Sequence, residues 1–445
     1  MTALLAALAV IDLGFGDGGK GLVVDFLARE MGAGVVVRFN GGAQAGHNVV
    51  APDGRHHTFA QLGAASFLPR VRTFLSRHVL VHPTALAHEA RVLASRGVAD
   101  PLARVRVSER ARVITPFHQA ANRMREVARG HARHGSCGVG VGETVDHAAR
   151  HPDEAIVAGD WRAPRQLVRA LRRIRERLRA ELALLPRDTP RSAREWVVFE
   201  RPDVIDQWVS QVAPLADLVV PDAALAGWLR GGGAVLFEGA QGILLDESIG
   251  FHPFCTWSDC TARGARELLA EAAPGAELRV WGVLRAHAVR HGAGPLPTET
   301  AEVRPLCDHN GENAWQGSVR YGWFDAVLAR YALALAGELE ALVLTHVDLA
   351  ATRMAWPLCT AYGVSGARDP ELLDDRGQLV ALPAPPLARQ ERMAELLSRC
   401  VPGLADAPGQ ESGLVAAIEA LIERRVDLVS RGPRASDVAR RRASG

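Results

Sequence analysis

The 445-residue chain contains a single lysine, Lys20, which lies in the glycine-rich run Gly14-Phe15-Gly16-Asp17-Gly18-Gly19-Lys20-Gly21. All other Lys/Arg positions are arginine, so an ammonium kept here marks a place where a compact cation is wanted. The run satisfies G-x4-G-K, a pattern whose backbone N–H groups and following helix N-terminus cradle phosphate. An ordinary phosphate loop has a Ser or Thr after the lysine to bind magnesium. This chain has Gly21 there, and Asp17 inside the loop can supply an oxygen ligand instead. A second run, Asn40-Gly41-Gly42-Ala43-Gln44-Ala45-Gly46-His47-Asn48, carries His47, which can act as an acid to the base offered by Asp17. The plain alternatives are a tight turn that binds nothing and a structural histidine.

These residues need a scaffold that brings two loops to one edge. The first fifty residues read as strand Leu4–Leu13, glycine loop, helix Leu22–Glu30, strand Val35–Phe39 and loop Asn40–His47, the grammar of a parallel sheet. Apolar runs at Val197–Phe199, Ala234–Phe237, Leu278–Val283 and Leu342–Leu344 predict further buried strands with helices between several of them, so the fold class is α/β. Both loops then lie at the same carboxyl edge of the sheet. The stretch Arg165–Leu185 has Leu167, Leu171, Ile174, Leu178 and Leu182 at helical spacing, with arginines on the other face. That face reads as solvated and not as a nucleic-acid patch. Segments Pro370–Pro386 and Pro402–Gly409 read as surface connections, and Arg440–Gly445 as a frayed end.

Composition is that of a globular enzyme: 48% apolar, 23% charged, with a net charge of +2 that excludes a global field for nucleic acid or an anionic membrane. Cys137, Cys255, Cys260, Cys307, Cys359 and Cys400 show no paired CxxC spacing, which predicts a reduced, cytoplasmic protein. The apolar opening lacks a basic flank or cleavage site and runs into the glycine loop, so it reads as a strand and not a leader. No run approaches the length of a membrane helix.

Ordered blocks along the chain resemble the adenylosuccinate synthetase family. That family's signatures GDEGKGK and GGxNAGH correspond to residues 16–22 and 41–47. Further blocks are Phe237-Glu238-Gly239-Ala240-Gln241-Gly242, Leu244-Leu245-Asp246, Gly292 to Glu299, Gly322-Trp323-Phe324-Asp325, Thr345-His346-Val347-Asp348 and Ser430-Arg431-Gly432-Pro433. The resemblance implies a large, mostly parallel central sheet flanked by helices, in one domain over residues 1–445. It implies a ligase that uses GTP to phosphorylate the 6-oxo group of IMP or a similar nucleotide and displaces the phosphate with an amine, aspartate in the family. Asp17 would then take a proton from the ring and His47 would be the acid partner. Gly16, Asp17, Gly18, Gly19, Lys20, Gly21, Gly46, His47 and Asn48 would hold GTP phosphates. Asp17 and the Gly46 carbonyl would hold Mg2+. His346, Val347 and Asp348, with Ser430, Arg431 and Gly432, would contact guanine. Gln44, Cys137, Arg150, Gln241 and Thr256 would contact the nucleotide substrate, Arg150 from across a homodimer.

Departures from the family pattern bear on specificity. Gly18 replaces a signature glutamate, Gln44 an asparagine, and His346 the lysine of TKxD. Where the family has an aspartate-binding TTGRxRR loop, this chain reads Ala314-Trp315-Gln316-Gly317-Ser318-Val319-Arg320-Tyr321. Ser318 and Arg320 are meagre partners for a desolvated dicarboxylate. Trp315 and Tyr321 could contact a less charged amine or simply pack the loop. Three functions follow: the ordinary synthetase, a specialised ligase for another amine or a modified nucleoside, and a non-catalytic GTP-binding regulator. Retention of Asp17, Lys20 and His47 together argues against the last.

Overall fold

The computed structural model describes residues 6–231, 233–303, 314–364, 378–383 and 390–442. Its centre is a ten-stranded sheet. From one edge to the other the strands are Val438–Arg440, Leu428–Ser430, Ala341–Thr345, Leu278–Arg285, Ala7–Asp12, Val235–Glu238, Val35–Arg38, Arg72–Leu75, Val105–Ser108 and Val219–Val220. Neighbours are parallel except the edge pair Leu428–Ser430 with Val438–Arg440.

The central strands are apolar on both faces because each face has its own core. Ala7, Ala9 and Ile11 face one cluster of buried side chains and Leu8 and Val10 the other. Val35 and Val37 alternate with Val36 in the same way, as do Leu342 and Leu344 with Val343. The helix Lys20–Glu30 covers the second face with Leu22, Val23, Val24, Leu27 and Ala28. A smaller sheet of His287–His291, Val319–Asp325, Ala355–Gly363 and Val401–Pro408 and a hairpin of His47–Val50 with His56–Phe59 complete the β-structure.

Three local readings are corrected. Val197–Phe199 lies in the helix Pro190–Glu200, not in a strand. Thr189 caps that helix, Pro190 opens it, and Ser192, Glu195, Trp196 and Phe199 are buried at helical spacing, a start signal that outweighs a short apolar run. Residues Val401–Pro408 form an edge strand and not a connection; prolines are tolerated at an edge, where one side of the ladder needs no donor. Arg440 ends a strand and pairs with Glu30 at 3.0 Å, while residues 443–445 lie outside the described residues, as does most of Pro370–Pro386. The arginine-rich segment is the helix Pro164–Glu181, with Leu167, Leu171, Ile174 and Leu178 buried as expected. Among the described residues no helix is long and apolar enough to cross a membrane.

Candidate active site

The strand Ala7–Asp12 delivers the chain into the glycine loop, and the helix begins at Lys20. Gly16, Asp17 and Gly19 have φ of 87°, 55° and 100°, left-handed geometry that glycine accepts readily and an aspartate only where its surroundings hold it. For Asp17 those surroundings are on hand. The Arg285 guanidinium donates to its carbonyl at 3.0 Å, and His291 Nε2 contacts its Oδ2 at 2.6 Å. Burial alone would raise the Asp17 carboxyl, but the hydrogen bond and charge of His291, with Arg285 and Lys20, outweigh it and hold the group down at about 2. Asp17 is therefore a carboxylate at neutral pH, and the His291 nitrogen facing it is the donor.

Lys20 is buried, and its Nζ donates to Asp12 Oδ2 at 2.9 Å. The missing hydroxyl after the lysine has a steric reason: a Cβ on Gly21 would lie 2.8 Å from the Cβ of His47 and 3.2 Å from its backbone. The first helical turn thus abuts His47 directly. His47 is buried, with Nδ1 bonded to Glu238, which also accepts the Ala64 amide at 2.9 Å. Burial lowers the His47 pKa against the pull of Glu238, and the charges of Arg38 and Lys20 add to the lowering. Burial acts to raise Glu238, yet Arg38 and His47 keep it below the usual range. The pair is thus a neutral imidazole donating Nδ1–H to a carboxylate. An arriving phosphate would add negative charge and favour the protonated ring.

A pocket of about 510 Å³ is lined by all five residues expected at the nucleotide substrate, Gln44, Cys137, Arg150, Gln241 and Thr256, together with His291. Both polar ends of the Gln44 carboxamide and the Gln241 carbonyl oxygen are buried without a hydrogen-bond partner. Such orphaned groups are rare unless a ligand completes them. The loop carrying Gln241 packs on the glycine loop: a Cβ on Gly242 would meet the Gly14 carbonyl at 2.2 Å. Cys137 is a neutral thiol, pushed up to about 11 by burial. Arg150 is engaged within its own chain, by Asp146 at 2.6 Å and Glu181 at 3.1 Å.

The expected guanine contacts emerge at the same sheet edge. Leu344 pairs with Val429 in parallel register, so His346–Asp348 and Ser430–Gly432 leave adjacent strands side by side. Thr345 Oγ1 donates to the Gly18 carbonyl at 2.6 Å, tying this region to the glycine loop. His346 is left-handed, with φ 60°, and burial and Arg285 keep its ring neutral. Val347 is buried and Asp348 exposed at the start of the short helix Val347–Ala350. Ser430 Oγ donates to the Gly432 carbonyl at 2.7 Å and Arg431 pairs with Glu411 at 2.5 Å. Gly46 is exposed, and Asn48 Oδ1 accepts from Thr58 at 2.5 Å within the hairpin.

The expected amine contacts are arranged differently. Arg320 donates to the carbonyls of Gly292 and Gly294 at 2.9 and 2.7 Å and pairs with Glu299 at 2.8 Å, so its guanidinium braces a turn. The guanidiniums of Arg123 and Arg191 stand 5.2 and 5.8 Å from the Trp315 ring centre, and the ring lies against Gly138, where a Cβ would meet it at 2.6 Å. Trp315 therefore packs the loop, and Tyr321 is buried. Ser318 stands just before the strand bearing Arg320.

Asp12, Glu238, Arg285 and His291 were missed as site residues. Asp12 and Glu238 each carry a buried carboxylate at the end of an apolar strand, a conspicuous placement in sequence. Arg285 and His291 come from 268 and 274 positions away from Asp17 and left no local signal. Among the described residues no cluster of three or more His, Cys, Asp or Glu could hold a metal by itself. A magnesium ion needs less: one ionised carboxylate such as Asp17 with substrate phosphates and water fits its usual habit.

The sequence model of the adenylosuccinate synthetase family matches residues 9–439. The adenylosuccinate synthetase of Myxococcus xanthus (strain DK1622) is 34% identical over 380 residues, 83% of either chain. That of Neisseria meningitidis serogroup C (strain 053442) is 31% identical over 434 residues, 96% of either chain. Fully ligated adenylosuccinate synthetase from Plasmodium falciparum superposes with a TM-score of 0.77 at 19% identity, covering 98% of this chain and 100% of that one. The cyanophage S-2L succinoaminodeoxyadenylate synthetase, bound to dGMP and to dATP as an energy donor, gives 0.60 at 18% identity, over 98% and 95%. At such identities the two structures speak for the fold. The family match and the relatives that span most of the chain lead to one conclusion: the chain belongs to the adenylosuccinate synthetase family, ligases that form a C–N bond at the expense of GTP.

Proposed function

We propose that this chain phosphorylates the 6-oxo group of IMP or an IMP-like nucleotide with GTP and replaces the phosphate with an amine. The observation that carries the reading is the pocket lined by Gln44 and Gln241, whose loop packs on the glycine loop, with both polar ends of Gln44 and the carbonyl oxygen of Gln241 unpartnered; the N–H and C=O edge of a 6-oxopurine would match them. Asp17, a carboxylate set beside that pocket through His291, removes the ring N1 proton. The freed electron pair lets O6 attack the γ-phosphorus, and the bond to GDP breaks. Lys20 and the loop amides stabilise the transferring charge, and His47, oriented by Glu238, donates to phosphoryl oxygens. The amine then attacks C6, phosphate leaves, and the amine loses a proton. Mg2+, held by Asp17 and the Gly46 carbonyl, would neutralise phosphate charge. Asp348 and the Ser430–Gly432 turn would read guanine, and the working form would be a homodimer, with Arg150 exchanging its own-chain partners for the neighbour's site.

A second reading concerns the amine. Arg320 is engaged by carbonyls and Glu299, and Trp315 fills the loop. Among the described residues this segment presents no guanidinium free of such contacts to a dicarboxylate, which favours an amine with less negative charge than aspartate. The experiment is phosphate release with GTP, IMP and Mg2+, with and without aspartate, followed by product mass. Aspartate-dependent release with adenylosuccinate formed supports the ordinary reaction. GTP binding without aspartate turnover, and turnover with another amine, supports the second. No phosphate release with any base and amine refutes both.

A further inference from the structure

Position 18 of the glycine loop is a glycine, yet a carboxylate from outside the loop reaches it. Asp12 ends the first strand, is 2% exposed, and holds three groups of the loop. Its Oδ2 accepts from Lys20 Nζ at 2.9 Å and from the Gly18 amide at 2.8 Å, and its Oδ1 accepts from the Gly14 amide at 2.8 Å. A Cβ added to Gly18 would lie 2.5 Å from that same Oδ2 and 3.0 Å from the carboxyl carbon. The family signature GDEGKGK has glutamate where this chain has Gly18. A side chain at 18 and the carboxylate of Asp12 therefore compete for one space.

We propose that Asp12 is the positioning residue for Lys20 and the phosphate loop, and that positions 12 and 18 form an exchange pair in which one supplies the carboxylate only when the other is glycine. The inference rests on reading Lys20 as the phosphate-facing lysine. A buried ammonium without a counter-charge is strongly unfavourable, and Lys20 is only 3% exposed. Asp12 supplies that counter-charge through one of the three ammonium donors and leaves the others to turn to phosphate oxygens. It also ties down two loop amides, so the same carboxylate sets both the cation and the backbone against which a triphosphate docks. Its loss would misplace several donors together.

The test is equilibrium binding of GTP and GDP, with Mg2+, to the full chain carrying Asp12→Asn, Asp12→Gly, Gly18→Glu or the double change Asp12→Gly with Gly18→Glu, each checked by thermal melting. Asp12→Asn keeps the shape and should weaken GTP by about tenfold or more, and GDP less, in line with the roughly 10²-fold sensitivity of such sites to small displacements. Gly18→Glu alone should weaken GTP similarly, through overlap and like charge. The double change should recover affinity to within about threefold of the unaltered chain. Asp12→Asn binding GTP like the unaltered chain would overturn the proposal. So would a double change that binds no better than Gly18→Glu, or that fails to fold where Gly18→Glu folds. If Asp12→Gly alone does not fold, rescue by Gly18→Glu supports the pair still more directly. Because the readout is binding, absence of turnover refutes the proposed reaction and not this inference. Unchanged GTP affinity in Lys20→Ala refutes the underlying reading of the lysine.

Discussion

Replacing Gly21 with serine restores the hydroxyl that an ordinary phosphate loop carries after its lysine, and a sequence comparison alone would expect a gain in metal affinity. The structure predicts harm. The serine Cβ would stand 2.8 Å from the His47 Cβ and 3.2 Å from that residue's backbone. Reaching ordinary contact at about 3.4 Å or more requires a relative shift of roughly 0.6 Å. Neither side yields easily, because Gly21 is in the first helical turn and His47 is buried and bonded to Glu238. Overpacking of this size costs about 1–3 kcal/mol. For a chain of this length that lowers the melting temperature by only about 1 °C per kcal/mol, taking roughly 2.1 cal/mol/K per residue for the unfolding entropy. Turnover is the sharper readout: a displaced acid should lower kcat about tenfold to a hundredfold. The assay is steady-state phosphate release across Mg2+ concentrations, with Gly21→Ala as control, since alanine carries the same Cβ without the hydroxyl. Serine and alanine should be impaired alike. Unchanged or improved kcat for Gly21→Ser would refute the steric account, and so would impairment confined to serine.

Glu238→Gln should reduce kcat by about tenfold, a part of the roughly 10²-fold or more that a positioned acid contributes, with KM for GTP little changed; a change in KM alone would show that the carboxylate does not act through His47. Arg320→Ala should lower the melting temperature, as the hydrogen bonds to Gly292, Gly294 and Glu299 are lost, and should affect every amine equally; a rise confined to the KM for aspartate would make Arg320 a substrate ligand. Gln241→Ala should weaken the nucleotide substrate by about tenfold, roughly one hydrogen bond of 1–1.5 kcal/mol, without affecting GTP, as measured by titration of each alone. Burial raises the Asp325 carboxyl to about 6 from 3.8 against its bonds to Tyr362 and the Leu328 amide. A raised carboxyl binds its proton more tightly when folded, so its contribution is full below about pH 4 and is lost as pH rises to about 6. That amounts to about 3 kcal/mol as an order of magnitude. Asp325→Asn, which keeps the helix cap, should flatten the slope of urea stability over that interval, and a persisting slope would place the titration elsewhere.

The parallel sheet and the glycine loop that opens its first helix were legible because their causes are local: an apolar strand, glycines where φ turns positive, and a lysine kept where all other basic positions are arginine. The five residues that the motifs assign to the nucleotide lie far apart in sequence, and the fold brings them to one pocket. What escaped was of two kinds. Val197–Phe199 and Pro402–Gly409 were misread because a short apolar run fits helix and strand alike and because an edge strand accepts proline. The partners of the reactive groups escaped for a deeper reason. That Asp17 is held by His291, His47 by Glu238, and Arg320 by the Gly292–Gly294 turn follows from which strands lie side by side, and spacing along the chain does not carry that information. The sequence by itself determined which chemical groups are present and which loops carry them. Only the tertiary structure decided their partners, and with them the charge of Asp17, the tautomer of His47 and the brace made by Arg320, because hydrogen bonding and burial act through space.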